Sequence, residues 1–313
     1  MYTRSITVTI PVTLPANIQS SEISSRPWLR GLVRYGLYPI LLAGVLTTVW
    51  LSVRFQWDPG KVYGRATLVL VAILIAVERL APLRKEWSMT GKSFLRDLGY
   101  IAFAAPTIAL AKAGFGFLAI RYSQHHVGLF SALPIPVAAL GFLLTFEFFQ
   151  YWFHRFSHSD RGPLGRFLWK VHLAHHLPDK VYVVMHAVFH PLNALITTAI
   201  LQIPLLALGV PPSAVLAATL LIDLQSLVSH FNADIRAGFF NYIFIGTELH
   251  RHHHSADTRE TGNFGNTLAV WDLVFRTHRY HPGRDPERLG LASGAGLPRS
   301  ENVLRVLALP FAG

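Results

Sequence analysis

An all-α, polytopic membrane helical bundle of about four to six spans is the fold class this sequence predicts, and three observations carry that prediction. Of its 313 residues, 51% are hydrophobic and only 14% are Asp, Glu, Lys or Arg, against roughly 25% charged residues in soluble domains. The apolar residues gather into six runs, each near the ~20 residues a helix needs to cross a bilayer. Lys and Arg collect mainly between those runs. The net charge of +11 therefore reads as membrane-flanking charge, not as the basic stripe of a nucleic-acid-binding face, and no nucleic-acid partner is expected. Zero cysteine excludes a disulfide scaffold, a thiolate zinc finger, an iron–sulfur protein and a Cys nucleophile. Any metal must be held by nitrogen or oxygen.

Residues 1–35 carry Arg4, Arg26, Arg30 and Arg34 and no apolar core ahead of a small-residue cleavage site, which predicts a cytosolic tail and no removable signal peptide. Residues 36–281 then form a single integral-membrane domain, and 282–313 a cytosolic C-terminal tail. The apolar runs cover 36–53, 66–83, 99–120, 133–153, 187–210 and 213–228. The second, with Glu78 and Arg79 near its end, and the third, containing Lys112, are alternatively interfacial helices. Gly209, Val210, Pro211 and Pro212 separate the last two runs and predict a tight helical hairpin. If all six runs cross, 14 Lys and Arg before residue 230 lie on one side of the membrane against 4 on the other, Arg54, Lys61, Arg65 and Arg121. By the positive-inside rule the first side is cytoplasmic.

Histidine is the second anomaly, with 16 residues against 17 acidic ones. Twelve lie between 154 and 254 in ordered clusters: HxxxH at His154 and His158, HxxHH at His172, His175 and His176, and HxxHH again at His250, His253 and His254. Positions i, i+3 and i+4 project from one helix face, and imidazole suits iron, zinc and copper. A lone HxxxH is usually a surface helix. Three clusters bracketing a transmembrane hairpin all emerge on one side, so one cytosolic helical cap collects eight imidazoles. That exceeds what a four-coordinate zinc uses and argues for a di-metal site.

Order and spacing resemble the fatty acid hydroxylase and sterol desaturase superfamily of membrane di-iron proteins. The similarity covers about residues 140–280 and includes YWFHR at 151–155, HP at 190–191, HFN at 230–232 and NFGNTLAVWDLVFRT at 263–277. Two departures stand out: Arg276 occupies the usual Gly of the FGT element, and Glu147 a position often Asp in relatives. The resemblance implies the eight motif histidines as ligands, with His190 and His230 as ninth and tenth. It also implies two iron ions, with zinc a possible substitute in purified protein, and O2 as co-substrate. The outcome would be hydroxylation of a lipid C–H bond, or desaturation by the same chemistry. No GxGxxG-like fingerprint for flavin or nicotinamide is present, so electrons are expected from an external carrier, a small haem or iron–sulfur protein docking on the basic cytosolic surface.

Metal-bound imidazoles need acceptors behind them. Asn232, Asn263 and Asp272 are candidates, Asp272 alternatively bracing the helix of the third cluster, and His186 is a further candidate partner four residues before His190. His252 should point away, His278 and His281 are expected at the surface, and His125 and His126 fall on the opposite side of the membrane. Asp223, inside the sixth run, is an intramembrane carboxylate of the kind that is functional by default, as a channel-lining group or a partner of Lys112. Two rivals are weighed. Zinc hydrolysis calls for a general base beside the metal, as in HExxH, which is missing. A non-enzymatic metal transporter places ligands near the midplane, often in inverted repeats, and neither is seen.

Overall fold

The computed structural model describes residues 27–123, 127–159, 161–291 and 296–312. Residues 1–26 of the expected N-terminal tail, and His125 and His126, lie outside the described residues. In chain order the helices are α1 (Pro27–Arg54), α2 (Pro59–Leu80), α3 (Gly91–Ser123), α4 (Ile135–Ser157), α5 (Gly162–His176), α6 (Pro191–Leu208), α7 (Pro212–Ser229), α8 (Thr247–His253), α9 (Val270–Val274) and α10 (Val303–Ala308). Among the described residues no strand forms, only two isolated bridges. Six helices, α1 to α4, α6 and α7, are long and apolar enough to cross a membrane. Their outward apolar side chains, such as Leu68 at 70% and Leu110 at 76% exposure, are what a lipid-facing surface requires.

The ends of these helices follow from local chemistry. Asp58 caps α2, accepting from the Lys61 N–H at 2.7 Å, and Pro59 opens the helix where its missing N–H costs nothing. Gly209 ends α6 at φ 62; a Cβ there would lie 2.7 Å from Gly128 Cα, so both the left-handed turn and the close approach require glycine. Pro211 and Pro212 then start α7, as the breaker cluster indicated.

The helices of this hairpin do not pack along each other. They diverge, and α4 lies against both, with Phe142, Leu143 and Phe146 meeting Ala218 of α7 and Leu201 and Leu205 of α6. Around α7 sit α1 and α2, joined by Leu41, Leu42, Leu70, Leu74, Leu220 and Leu224. On the other side α6 packs on α3. The bundle is thus two halves bridged by α4, with space between α6 and α7.

Two expected boundaries move. Residues 27–35 are helical, with a π-helical turn at Leu32–Gly36, so α1 begins nine residues before the apolar run. The chain after 281 is not a free tail. Its Gly290 N–H donates to His254 O at 3.0 Å, Arg288 O accepts from Ala256 N–H at 2.9 Å, and Val306 of α10 is fully buried between α3 and α5. Helix α3, at 33 residues, is about 50 Å long, longer than the ~30 Å hydrocarbon layer. Its first turns join this same cap, where buried Asp97 accepts from the Tyr182 hydroxyl at 2.5 Å and from Arg96 at 2.8 Å.

Candidate metal centre

Four helices end at one place. His154 occupies the last turn of α4 and His158 its C-cap; His172, His175 and His176 occupy the last turn of α5. His230 is the C-cap of α7, His250 and His253 lie in α8, and His254 is its C-cap. Each C-terminus carries a partial negative charge of about half an electron, so four of them make a field that favours cations before any side chain is counted. The 3.6-residue repeat turns the spaced histidines of each helix inward.

Helix α8 is only seven residues long and is held by its other face. Arg251 is fully buried and donates to Asp285 at 3.0 Å, to Phe231 O at 2.9 Å and to Ala233 O. Glu248 accepts from the Ala237 N–H at 2.8 Å and from Asn241 at 2.6 Å. Neither residue carries a motif that the histidine spacing would expose, although both sit on the outer face of the HxxHH helix.

The histidines form two adjacent groups: His154, His158, His172, His176 and His253, and beside them His175, His230, His250 and His254, with the ligand atoms of each group within 4.8 Å of one another. Their tautomers follow from what lies behind them. A carbonyl only accepts, so Nδ1 must carry the proton where it faces Phe264 O (His154, 2.8 Å), Gly262 O (His253, 2.8 Å) and Val188 O (His175, 3.2 Å). His172 Nδ1 faces Asn193 Oδ1 at 3.0 Å, and His230 Nδ1 faces Ser226 O at 3.2 Å. In these neutral rings Nε2 is left as a lone pair.

Those lone pairs then point at each other. His175 and His230 Nε2 stand 3.0 Å apart, with no proton left to join them. The Nε2 atoms of His154 and His158 are buried with no partner at all. Such an arrangement is repulsive unless a cation sits among the nitrogens. Burial first, and then the charge of neighbouring imidazoles, holds His158, His175, His176, His250 and His254 well below the ordinary histidine range, and His172 is lowered to about 3. The rings are therefore neutral, the form that binds metal. Among the described residues neither group contains a carboxylate.

The structure brings together the eight motif histidines and His230, and it leaves His190 out. His190 caps α6: its Nδ1 accepts from the Leu192 N–H at 3.0 Å and its Nε2–H donates to Leu307 O at 3.0 Å, so neither nitrogen is free for a metal. His186 does face the site, its ring 5.3 Å from that of His230 and its Nδ1 buried without a partner.

None of the three polar candidates touches an imidazole. Asn232 clamps the loop at Arg84 through two hydrogen bonds of 3.1 and 2.9 Å. Asn263, at φ 56, ties Leu249 O and Arg279 O, both at 2.9 Å. Asp272 accepts from the Phe264 and Gly265 N–H groups at 2.8 and 2.7 Å, bracing the loop whose Phe264 and Gly262 carbonyls stand behind His154 and His253. Glu147 grips the same loop through the Asn266 and Thr267 N–H groups at 3.0 and 2.7 Å. Two side chains stand directly behind site rings, Asn193 behind His172 at 3.0 Å and the Ser229 hydroxyl behind His230 at 2.9 Å, and sequence reading missed both; the other acceptors are backbone carbonyls, which have no residue signature. His252 points away, toward Arg284 O at 3.2 Å and the His281 ring at 4.6 Å, and His278 is half-buried, bonded to Asn241 O at 2.9 Å.

Fold and site together define a polytopic helical membrane protein with a polyhistidine centre suited to two metal ions. Residues 139–277 match the Fatty acid hydroxylase family model, a stretch that holds all eight motif histidines. It is similar to the ornithine lipid hydroxylase OlsE of Rhizobium tropici, 27% identical over 285 residues, 88% of this chain and 83% of that one. It is also similar to the very-long-chain aldehyde decarbonylase GL1-10 of Oryza sativa subsp. japonica, 24% identical over 193 residues, 57% of this chain and 61% of that one. No solved structure matches the chain.

Proposed function

We propose that this protein is a membrane-bound di-iron oxygenase that uses O2 to hydroxylate a C–H bond of a lipid, with the metal site on the cytoplasmic face. The observation that carries the reading is the pair of imidazole groups whose lone pairs converge without protons between them. Nine nitrogens suit two ions of an imidazole-preferring metal. The absence of a carboxylate from both groups among the described residues disfavours water-activating zinc chemistry, which uses a general base beside the metal. A transporter reading is disfavoured because the histidines cluster where helices end.

Two irons held there supply reductive activation of O2 and removal of hydrogen from an unactivated carbon. The chain's own residues do the rest. The carbonyls of Gly262, Phe264 and Val188 and the Asn193 amide fix the imidazole tautomers and aim Nε2 inward. Asp272 and Glu147 hold the 262–267 loop that supplies two of those carbonyls. A cavity of about 220 Å³ runs from His154, His172 and His230 between α6 and α7, room for a segment of a lipid beside the histidines. Hydroxylation is favoured over desaturation by the relative that spans most of this chain, whose name is that of a lipid hydroxylase. Electrons come from an external carrier protein, a small haem or iron–sulfur carrier.

Comparative lipid mass spectrometry of cells with and without the protein tests this reading. A lipid that gains one oxygen only when the protein is present supports hydroxylation, and loss of two hydrogens supports desaturation. The same shift in a His175→Ala strain would overturn the di-metal mechanism.

A further inference from the structure

The nine site histidines are not equally covered. Eight are buried, and His158 alone is half-buried, so the five-histidine group comes nearest the surface where α4 ends. The side chain against it there is Trp169 of α5. Its ring, itself half-buried, lies 5.4 Å from that of His158 and 5.9 Å from that of His176, and His176 in turn stacks at 4.3 Å on His254 of the other group. The segment that carries Trp169 is strongly basic. Arg166, Trp169 and Lys170 share a helix face, being three and four residues apart, and Arg155 and Arg161 precede them in the last turn of α4 and in the turn into α5. Asp160 is the one acidic residue between Phe148 and Pro178, against these four cations. Elsewhere in the cap cations meet carboxylates: Lys92 with Glu301, Arg96 with Asp97, Arg236 and Arg251 with Asp285. Among the described residues none of Arg155, Arg161, Arg166 and Lys170 forms an ion pair. Arg155 donates to the Tyr151 hydroxyl at 2.9 Å and Lys170 to Ala312 O at 2.5 Å, while Arg161 and Arg166 are exposed.

Resting on the oxygenase reading, we infer that this face, centred on Trp169 and bearing Arg161, Arg166 and Lys170, is where the electron-carrier protein docks, and that the carrier presents an acidic surface around its redox centre. Cations left without carboxylates steer and orient an acidic partner. A small contact suffices, since redox encounters bury little area. Each encounter passes one electron from the reduced carrier, which is thereby oxidised. Two encounters supply the two electrons that, with two protons, turn O2 and one C–H bond into one C–OH group and one water molecule. Anionic lipid headgroups are the other acidic occupant. The carrier is favoured because lipid over this face would seal the one side on which a site histidine comes to the surface, and the other eight histidines are buried.

The test uses the full-length, iron-loaded and oxidised protein in phosphatidylcholine nanodiscs with three one-electron donors: an acidic [2Fe–2S] ferredoxin, an acidic b-type haem protein and, as the opposite charge, a basic c-type cytochrome. Binding is measured by fluorescence anisotropy of the labelled donor. Reduction of the iron is followed by stopped-flow absorbance, with dithionite as a reductant that needs no docking. At least one acidic donor should bind and reduce the protein, with affinity falling as salt rises, and the basic one should not bind. The double variant Arg161→Glu with Arg166→Glu should weaken that binding and slow that reduction about tenfold or more, keeping both irons and the parental dithionite rate. Lys85→Glu with Arg288→Glu, exposed cations elsewhere, should change neither. Parental binding by the first double variant, equal loss in both double variants, or failure of both acidic donors would overturn the inference. So would a first double variant that loses affinity only for phosphatidylglycerol vesicles, which would make the face a membrane contact. Salt-sensitive docking and iron reduction with no oxidised lipid would instead count against the oxygenase reading and leave the docking face standing.

Discussion

Replacing Asn193 by Ala removes the side chain that directly backs the His172 imidazole. Its Oδ1 lies 3.0 Å from His172 Nδ1, and both residues are buried at 3% and 5% exposure. Two routes give the size of the effect. An imidazole N–H left buried without an acceptor costs about 1–3 kcal/mol. Loss of the group that orients a metal-bound histidine typically costs 10–100-fold in metal affinity, or about 1.4–2.7 kcal/mol. Agreement of the two fixes the expectation: Asn193→Ala weakens metal binding 10–100-fold, read by competition against a chelator in nanodiscs. Asn193→Asp keeps the acceptor and should retain affinity within a few-fold of the parent. Thr197→Val, one turn further along α6, should change it little. The reasoning is refuted if the Ala variant binds metal as tightly as the parent, or if Asp and Ala behave alike.

His190→Ala should cost about 1 kcal/mol of stability through loss of the α6 cap, and His190→Asn, which retains a capping side chain, less; both should keep the full metal content, and loss of an ion from the Asn variant would restore His190 as a ligand. Arg276 holds φ 59, in the left-handed region that favours glycine, so Arg276→Gly should raise thermal stability by about 0.5–1 kcal/mol, whereas Arg276→Ala, still strained, should not; a destabilised Gly variant would contradict this. Burial alone pushes Asp285 up, but Arg251 and Arg236 outweigh it and hold the carboxyl below its usual value. With the folded value below the unfolded one of about 4, this contribution is complete above pH ~4 and is lost as pH falls through the folded value. Unfolding measured against pH should therefore lose part of its acid-side slope below pH ~4 in Asp285→Asn, and an unchanged slope would refute the assignment.

The histidine clusters were legible because ligand geometry on a helix is a spacing rule, and the spans because a bilayer demands long apolar runs. His190 was misread because a His-Pro pair at a helix start is equally a cap followed by Pro at the first helical position, and nothing in the residues separates that from a ligand. Asn232 follows His230 in the chain, but beyond the end of α7 its side chain turns back to the Arg84 loop. The start of α1 at Pro27 escaped the apolar-run criterion because Arg30 and Arg34 dilute a stretch that also holds Trp28, Leu32 and Val33. The docking of the described residues after 281 was invisible to the apolar pattern, since it rests on the Asp285 pairs with Arg236 and Arg251, on backbone bonds from Gly290 and to Arg288, and on one short helix. Carbonyls behind imidazoles are set by loop geometry, which only the carboxylates gripping that loop, Glu147 and Asp272, betray.

Metal content tests the two-group arrangement most directly. Purified after growth in iron-enriched medium, the protein should carry two iron ions per chain by elemental analysis. His176→Ala, in the five-histidine group, and His250→Ala, in the four-histidine group, should each reduce that to about one. A single ion in the parent protein, or two ions retained in both variants, would contradict the di-metal centre.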